Sequence, residues 1–165
     1  MQTLNEVLTN SEPNAAVKAG TRVMIVEDEA VVALHIRQEL MSCGYSVVGI
    51  ANSGDQALKM INDIFPDIVL MDIHIHGEID GIETARRIPR YLHIPVVYLT
   101  ASSEDSTLKR ASDTYPYGYL IKPFQARELH ATIKMALERS RADEAVRQNE
   151  AILFRALCST PIAES

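Results

Sequence analysis

Five polar residues stand where apolar runs end, and their types suit phosphoryl chemistry. Asp72 closes Ile68-Val69-Leu70-Met71, and Glu27-Asp28 follow Val23-Met24-Ile25-Val26. Thr100 follows Val96-Val97-Tyr98-Leu99, and Lys122 follows Tyr119-Leu120-Ile121. An unpaired carboxylate is costly inside a sheet core. It is at home at the carboxyl end of a strand, where open α/β sheets place their chemistry. Asp72 is the candidate nucleophile, an aspartate that takes up a phosphoryl group. Glu27, Asp28 and Asp72 together would repel each other and the donor. A divalent, oxygen-seeking cation resolves this, and Mg²⁺ (or Mn²⁺) suits a few carboxylates plus water and phosphate oxygens. Lys122 can pair with Asp72 at rest and with phosphoryl oxygens afterwards, and Thr100 can donate its hydroxyl to the new phosphate. Catalysis would then be positioning and charge neutralisation of a loose transition state.

Each residue has a plainer reading. Glu27-Asp28-Glu29 could cap the next helix and favour its positive end. Asp72 could be a turn residue, Thr100 a helix-entry hydroxyl, and Lys122 a solvated charge. Their joint occurrence at four strand ends favours one site over four coincidences.

The elements that must position these residues alternate. Strands are predicted over Arg22–Val26, Tyr45–Ala51 and Ile68–Asp72, then from Pro95 and, after a turn over Tyr115-Pro116-Tyr117-Gly118, from Tyr119. The first helix has Val31, Leu34, Leu40 and Met41 among its apolar positions and closes at Gly44. Ser53 can cap the second, with Ala57, Leu58, Ile61 and Ile64 inward. A short helix covers Gly81–Ile88, and Ser103 and Glu104 open another through about Thr114. This alternation predicts an α/β fold, a five-stranded parallel doubly wound sheet of order 2-1-3-4-5. Its switch point lies between strands one and three, where Asp28 and Asp72 end.

The last helix outruns the domain. From Gln125 to about Leu157 there is no Gly or Pro, and Ala, Arg, Glu and Leu abound. Leu129, Ile133, Ala136 and Leu137 can cover the sheet. Ala142, Val146, Asn149, Leu153 and Ala156 then recur at spacings of four and three, a coiled-coil seam with Asn149 as a polar register device. The expected organisation is a flexible arm over 1–20, a domain over 21–139 and a helical extension over 140–165.

The bulk numbers narrow the class. In 165 residues, 47% hydrophobic and 23% charged describe an ordinary globular balance. A net charge of -6 offers no basic stripe for nucleic acid. No apolar run approaches a membrane span, and Met1–Gly20 has no secretory apolar core. Cys43 and Cys158 form no metal-spaced cluster, and reducing, cytoplasmic conditions fit them best.

Five segments, in order, resemble the receiver domain of two-component response regulators. They are Val23 to Glu29, Asp67 to Ile73, Asp80-Gly81-Ile82-Glu83, Leu99-Thr100-Ala101 and Gly118 to Phe124. The resemblance covers about Thr21 to Glu138. It implies a phospho-acceptor switch in a phosphorelay, with Asp72 as acceptor and a sensor histidine kinase or His-containing phosphotransfer protein as donor. Catalysis would be confined to the domain's own phosphorylation and its hydrolysis. The implied metal set is Glu27, Asp28, Asp72 and the main-chain carbonyl of His74. The implied switch pair is Thr100 and Tyr119, acting on a surface of strand four, helix four and strand five.

Two departures stand out. The usual Pro after the acceptor is missing from Ile73-His74-Ile75-His76-Gly77-Glu78-Ile79-Asp80, and the loop is one residue longer than in the simplest members. This variant resembles receivers attached to sensor and hybrid kinases. His74 and His76 would suit a transition ion, but no third ligand is evident, and histidine in a surface loop is commoner. Glu27 replaces the commoner Asp, and its longer arm implies a more indirect hold on metal.

Other classes fit less well. A hydrolase of the haloacid-dehalogenase type wants a second Asp two residues after the nucleophile, where His74 stands. A flavodoxin-like cofactor binder needs a phosphate-cradling loop, and Glu27-Asp28-Glu29 has the wrong charge. A pseudo-receiver scaffold would not need the intact acid, Thr and Lys set. The stretch 123–165 holds one helix and a tail, so direct DNA binding is not expected. Phe154 to Pro161 weakly resembles the lead into a sensory domain. The seam predicts a weak parallel homodimer.

Overall fold

A computed structural model describes residues 20–101 and 105–159. All but the last residue of the expected N-terminal arm, and the expected helix openers Ser103 and Glu104, lie outside that range. The strands are β1 (Arg22–Val26), β2 (Ser46–Ala51), β3 (Ile68–Asp72), β4 (Val96–Thr100) and β5 (Gly118–Ile121). The helices are α1 (Ala30–Ser42), α2 (Gly54–Ile64), α3 (Gly81–Arg87), α4 (Asp105–Ser112) and α5 (Ala126–Cys158), with a 3-10 turn at Arg90–Leu92. The sheet is parallel, in the order β2-β1-β3-β4-β5.

Alternation along each strand sends side chains to two cores. Val23, Ile25, Ile68, Leu70, Val97 and Leu99 meet α1 and α5 on one face. Met24, Val26, Val69, Met71, Val96 and Tyr98 meet α2, α3 and α4 on the other. Burial on both faces explains why these strands read as unbroken apolar runs. The parallel register then sets the rim: Val26 lies opposite Met71, Asp72 opposite Leu99, and Thr100 opposite Ile121. The next residues, Glu27 and Lys122, therefore emerge at the same end as Asp72.

Local chemistry fixes the helix ends. The Ser53 hydroxyl accepts from the Gln56 N–H at 3.3 Å and opens α2. Asp80 opens α3, its Oδ1 accepting from the Glu83 N–H at 2.8 Å. Gln125 opens α5, its N–H donating to Glu128 Oε2 at 3.0 Å.

The apolar positions of α1 divide between core and surface. Val31, Leu34 and Met41 are 80%, 53% and 57% exposed, while Ala33, Ile36 and Leu40 face the core. Apolar residues surround this helix, so no single stripe marks the inward side. In α2, Ala57 and Ile61 are buried, while Leu58 and Ile64 are half-buried. Helix α4 ends at Ser112, two residues before Thr114.

Candidate functional site

The site sits at the carboxyl ends of β1, β3, β4 and β5. Carboxylate oxygens of Glu27, Asp28 and Asp72 lie within 4.8 Å of one another. Glu27 and Asp72 are almost fully buried, and Asp28 is half-buried. The Lys122 ammonium donates to Glu27 Oε2 at 2.6 Å and to Asp72 Oδ2 at 2.7 Å. It therefore shares one positive charge between two of the three acids. The reading of Lys122 against Asp72 is met, but Glu27 is its equal partner.

The backbone positions the rest. The His74 N–H donates to Asp72 Oδ1 at 3.0 Å. The Glu29 N–H donates to Glu27 Oε1 at 3.1 Å. The Lys122 N–H donates to the Thr100 carbonyl at 2.7 Å, which ties the cation's strand to the hydroxyl's. Thr100 itself is fully buried. Gly81 admits the loop from Asp72 back to α3, since a Cβ there would lie 2.0 Å from the Asp72 carbonyl oxygen. Its N–H donates to the Ile73 carbonyl at 2.9 Å, closing the loop over the acceptor strand.

Charge and burial oppose each other here. Burial pushes the Glu27 carboxyl up to about 6, helped by the neighbouring Asp72 and resisted by Lys122. Burial would lower Lys122, but Asp72 and Glu27 outweigh it and hold the ammonium above its ordinary range. Burial would raise Asp28, but the His76 N–H and ring together hold it below the usual carboxylate range. Three acids with one shared ammonium leave net negative charge at one point. That all-oxygen set is the chemistry of a hard divalent cation, so Glu27, Asp28 and Asp72 fit Mg²⁺.

Tyr119, the expected switch aromatic, is 37% exposed on the face toward α4. Its ring stacks on Tyr98 at 6.0 Å and 30°. Tyr98 was not singled out from the sequence, yet it lies fully buried between β4 and α4. The Thr114 hydroxyl donates to the Ala111 carbonyl at 2.7 Å, so its one proton is used. The Tyr98 hydroxyl therefore donates to Thr114 Oγ1, also at 2.7 Å. Arg110, one turn before Thr114, donates to Asp80 Oδ2 at 2.8 Å. Helix α4 is thus fastened to β4 and to the loop that begins at Asp72. The one visible signal was an aromatic sharing the Thr100 face of an aliphatic strand.

A second contact group ties the extension to the domain. The Tyr117 hydroxyl donates to Asp143 Oδ2 at 2.6 Å, and the Arg139 guanidinium lies 5.2 Å from the Tyr117 ring centroid. Ala142 within this clasp, and Val146, Asn149, Leu153 and Ala156 beyond it, are all exposed. Among the described residues, no helix is long and apolar enough to cross a membrane.

Known proteins share this arrangement. The family model described as the response regulator receiver domain matches residues 23–134. The chain is 32% identical over 157 residues to the transcriptional regulatory protein PdtaR of Mycobacterium tuberculosis, covering 95% of this chain and 76% of PdtaR. It is 37% identical over 120 residues to the regulatory protein YrkP of Bacillus subtilis, covering 72% of this chain and 50% of YrkP. Among solved structures, the signal receiver domain of a modulated diguanylate cyclase from Desulfovibrio desulfuricans is 38% identical. It superposes with a TM-score of 0.70, over 74% of this chain and 97% of that one. The N-terminal domain of a response regulator/sensory box/GGDEF protein from Carboxydothermus hydrogenoformans is 33% identical. Its TM-score is 0.68, over 74% of this chain and 98% of that one. With its acidic rim, its Thr and Lys strand ends and its 2-1-3-4-5 sheet, the chain belongs to the receiver-domain family of two-component response regulators.

Proposed function

We propose that Asp72 accepts a phosphoryl group from a histidine kinase or a His-containing phosphotransfer protein, with Mg²⁺ (or Mn²⁺) held by Glu27, Asp28, Asp72 and the His74 carbonyl. The observation that carries this reading is the Lys122 ammonium, 2.7 Å from an Asp72 oxygen and 2.6 Å from Glu27. A cation already stands where phosphoryl oxygens would need one. Bound Mg²⁺ would supply the remaining positive charge. Asp72 Oδ1 is oriented by the His74 N–H, so the carboxylate is held rather than free to rotate. Thr100 supplies a hydroxyl one strand away, and Tyr119 follows its movement toward α4.

The partner face has support of its own. A groove of about 300 Å³ opens beside Lys122, lined by Val32, His35, Ile36, Pro123 and Phe124. Exposed Val31 and Leu34 lie on the same helix as its first three residues. Apolar surface beside the acceptor suits a docking donor protein.

The domain reading keeps 21–139 as the receiver and the extension from 140 as a connector, helical through Cys158. Its exposed seam, Ala142 to Ala156, suits a weak parallel homodimer. Exposed Met135, seven residues before Ala142, lengthens that seam into the domain. The sensory-box neighbour supports a connector role, because in that protein a receiver precedes another domain.

Intact-mass measurement with acetyl phosphate and Mg²⁺ tests the acceptor. The wild type should gain one phosphoryl group and Asp72→Ala none. Equal labelling of both would refute the assignment.

A further inference from the structure

The histidine of the long acceptor loop has no counterpart in the chemistry above. His76 lies next to Asp28, 48 residues away in sequence. Its N–H donates to Asp28 Oδ2 at 2.9 Å, and its Nδ1 contacts the same oxygen. The imidazole is 95% exposed, so packing does not put it there. Lys122 occupies Glu27 and Asp72, which leaves His76 as the partner of the third acid. A cation bound through Asp28 Oδ2 must therefore either expel the imidazole or accept it as a donor.

Ligand chemistry separates those outcomes. Mg²⁺ keeps oxygen ligands and water, and gains little from nitrogen. Mn²⁺, Co²⁺, Ni²⁺ and Zn²⁺ accept imidazole with increasing preference along that series to Ni²⁺. The sequence placed two histidines in this loop without a third ligand. The fold sets Asp28, one of three clustered carboxylates, beside the second histidine. His74 is a different case, because it meets Asp72 through its backbone N–H, whereas the ring of His76 itself reaches Asp28.

We infer that His76 is a metal-selecting ligand: its Nδ1 joins Asp28 at the acidic cluster and favours a divalent transition ion over Mg²⁺. In binding, the Nδ1 lone pair faces the ion and the ring proton resides on Nε2. No redox change is involved. The inference rests on the reading of Glu27, Asp28 and Asp72 as the cation site, and it adds a nitrogen to an otherwise all-oxygen set.

The experiment uses Mn²⁺ as the probe, on the full chain without phosphodonor. Pulsed electron paramagnetic resonance detects ¹⁴N coupling when an imidazole binds Mn²⁺. The wild type should show that coupling, His74→Gln should keep it, and His76→Gln should bind Mn²⁺ without it. Titration should show Mn²⁺ affinity lowered about tenfold in His76→Gln, as for other metal-site partners, with Mg²⁺ affinity unchanged. Bound Mn²⁺ with no nitrogen coupling in the wild type, or coupling that survives in His76→Gln, would overturn the role of His76 and leave the acidic site standing. Failure of Mn²⁺ to bind, or binding untouched by Asp28→Asn, would overturn the site itself and this inference with it.

Discussion

The rim around Asp72 and the far half of α5 are built on opposite terms. At the rim, carboxylates are largely buried and partnered: Glu27 and Asp72 share Lys122, and Asp28 meets the exposed His76. In α5 beyond the Tyr117–Asp143 clasp, apolar groups are exposed: Val146, Ile152, Leu153, Phe154 and Leu157 are each more than half open. The three rim carboxylates each find a partner within the one chain. The extension is a helix of good formers whose apolar side is open to solvent. Burial of charge without full neutralisation marks where chemistry or ligands act. Exposure of a seam marks where assembly acts.

The largest contrast should come from apolar truncation. Leu70→Ala, in the centre of the sheet, should cost about 2–5 kcal/mol. Leu153→Ala should stay within about 0.5 kcal/mol in dilute protein and weaken only self-association. Urea unfolding and sedimentation at several concentrations separate the two effects. A large loss from Leu153→Ala in dilute protein would mean that the extension is covered after all.

At the rim, Lys122→Ala strands two buried carboxylates and should cost roughly 1–3 kcal/mol. Added Mg²⁺ should return part of that loss, because it replaces the missing charge. Urea midpoints with and without Mg²⁺ are the check, and a Mg²⁺-independent loss would deny that the acids act as one cluster.

Glu27 gives the rim a pH signature. Its folded carboxyl titrates at about 6 against an ordinary 4.5, so the folded state holds the proton more tightly. Its contribution to stability is fullest below 4.5 and is lost as pH rises through about 6. Glu27→Gln lacks that dependence. Without divalent ions, the variant should gain on the wild type by about 1–2 kcal/mol between pH 4.5 and 7. A gap that stays flat would place Glu27 in a solvated setting.

A modest effect is expected at the clasp. Tyr117→Phe removes one hydrogen bond, worth about 0.5–1.5 kcal/mol. Hydrogen exchange should quicken after Asp143 while β3 stays protected. Uniform exchange along α5 in both proteins would make the clasp irrelevant to the extension.

Much of the rim could be read in the sequence because its logic is local. A short apolar run that stops at an acid, a Thr or a Lys announces a strand end, and parallel pairing aligns those ends. The face of α1 could not be read, since Val31, Val32, Leu34, Ile36, Leu40 and Met41 surround the helix. Glu27 was assigned to metal, but only the fold shows Lys122 equidistant between it and Asp72. Tyr98–Thr114, Arg110–Asp80 and Tyr117–Asp143 are pairs of side chains joined by tertiary packing, which periodicity does not encode. His76 was visible as a metal-type residue, but its partner became visible only when the loop folded back onto Asp28.

The most direct test of the central claim is chemical trapping of the acceptor. An aspartyl phosphate is an acyl phosphate, and borohydride reduces it to homoserine. After treatment with acetyl phosphate and Mg²⁺, peptide mass spectrometry should find homoserine at position 72 and unmodified Asp28 and Glu27. Reduction at Asp28 or Glu27, or none at position 72 while the intact protein carries phosphate, would contradict the account.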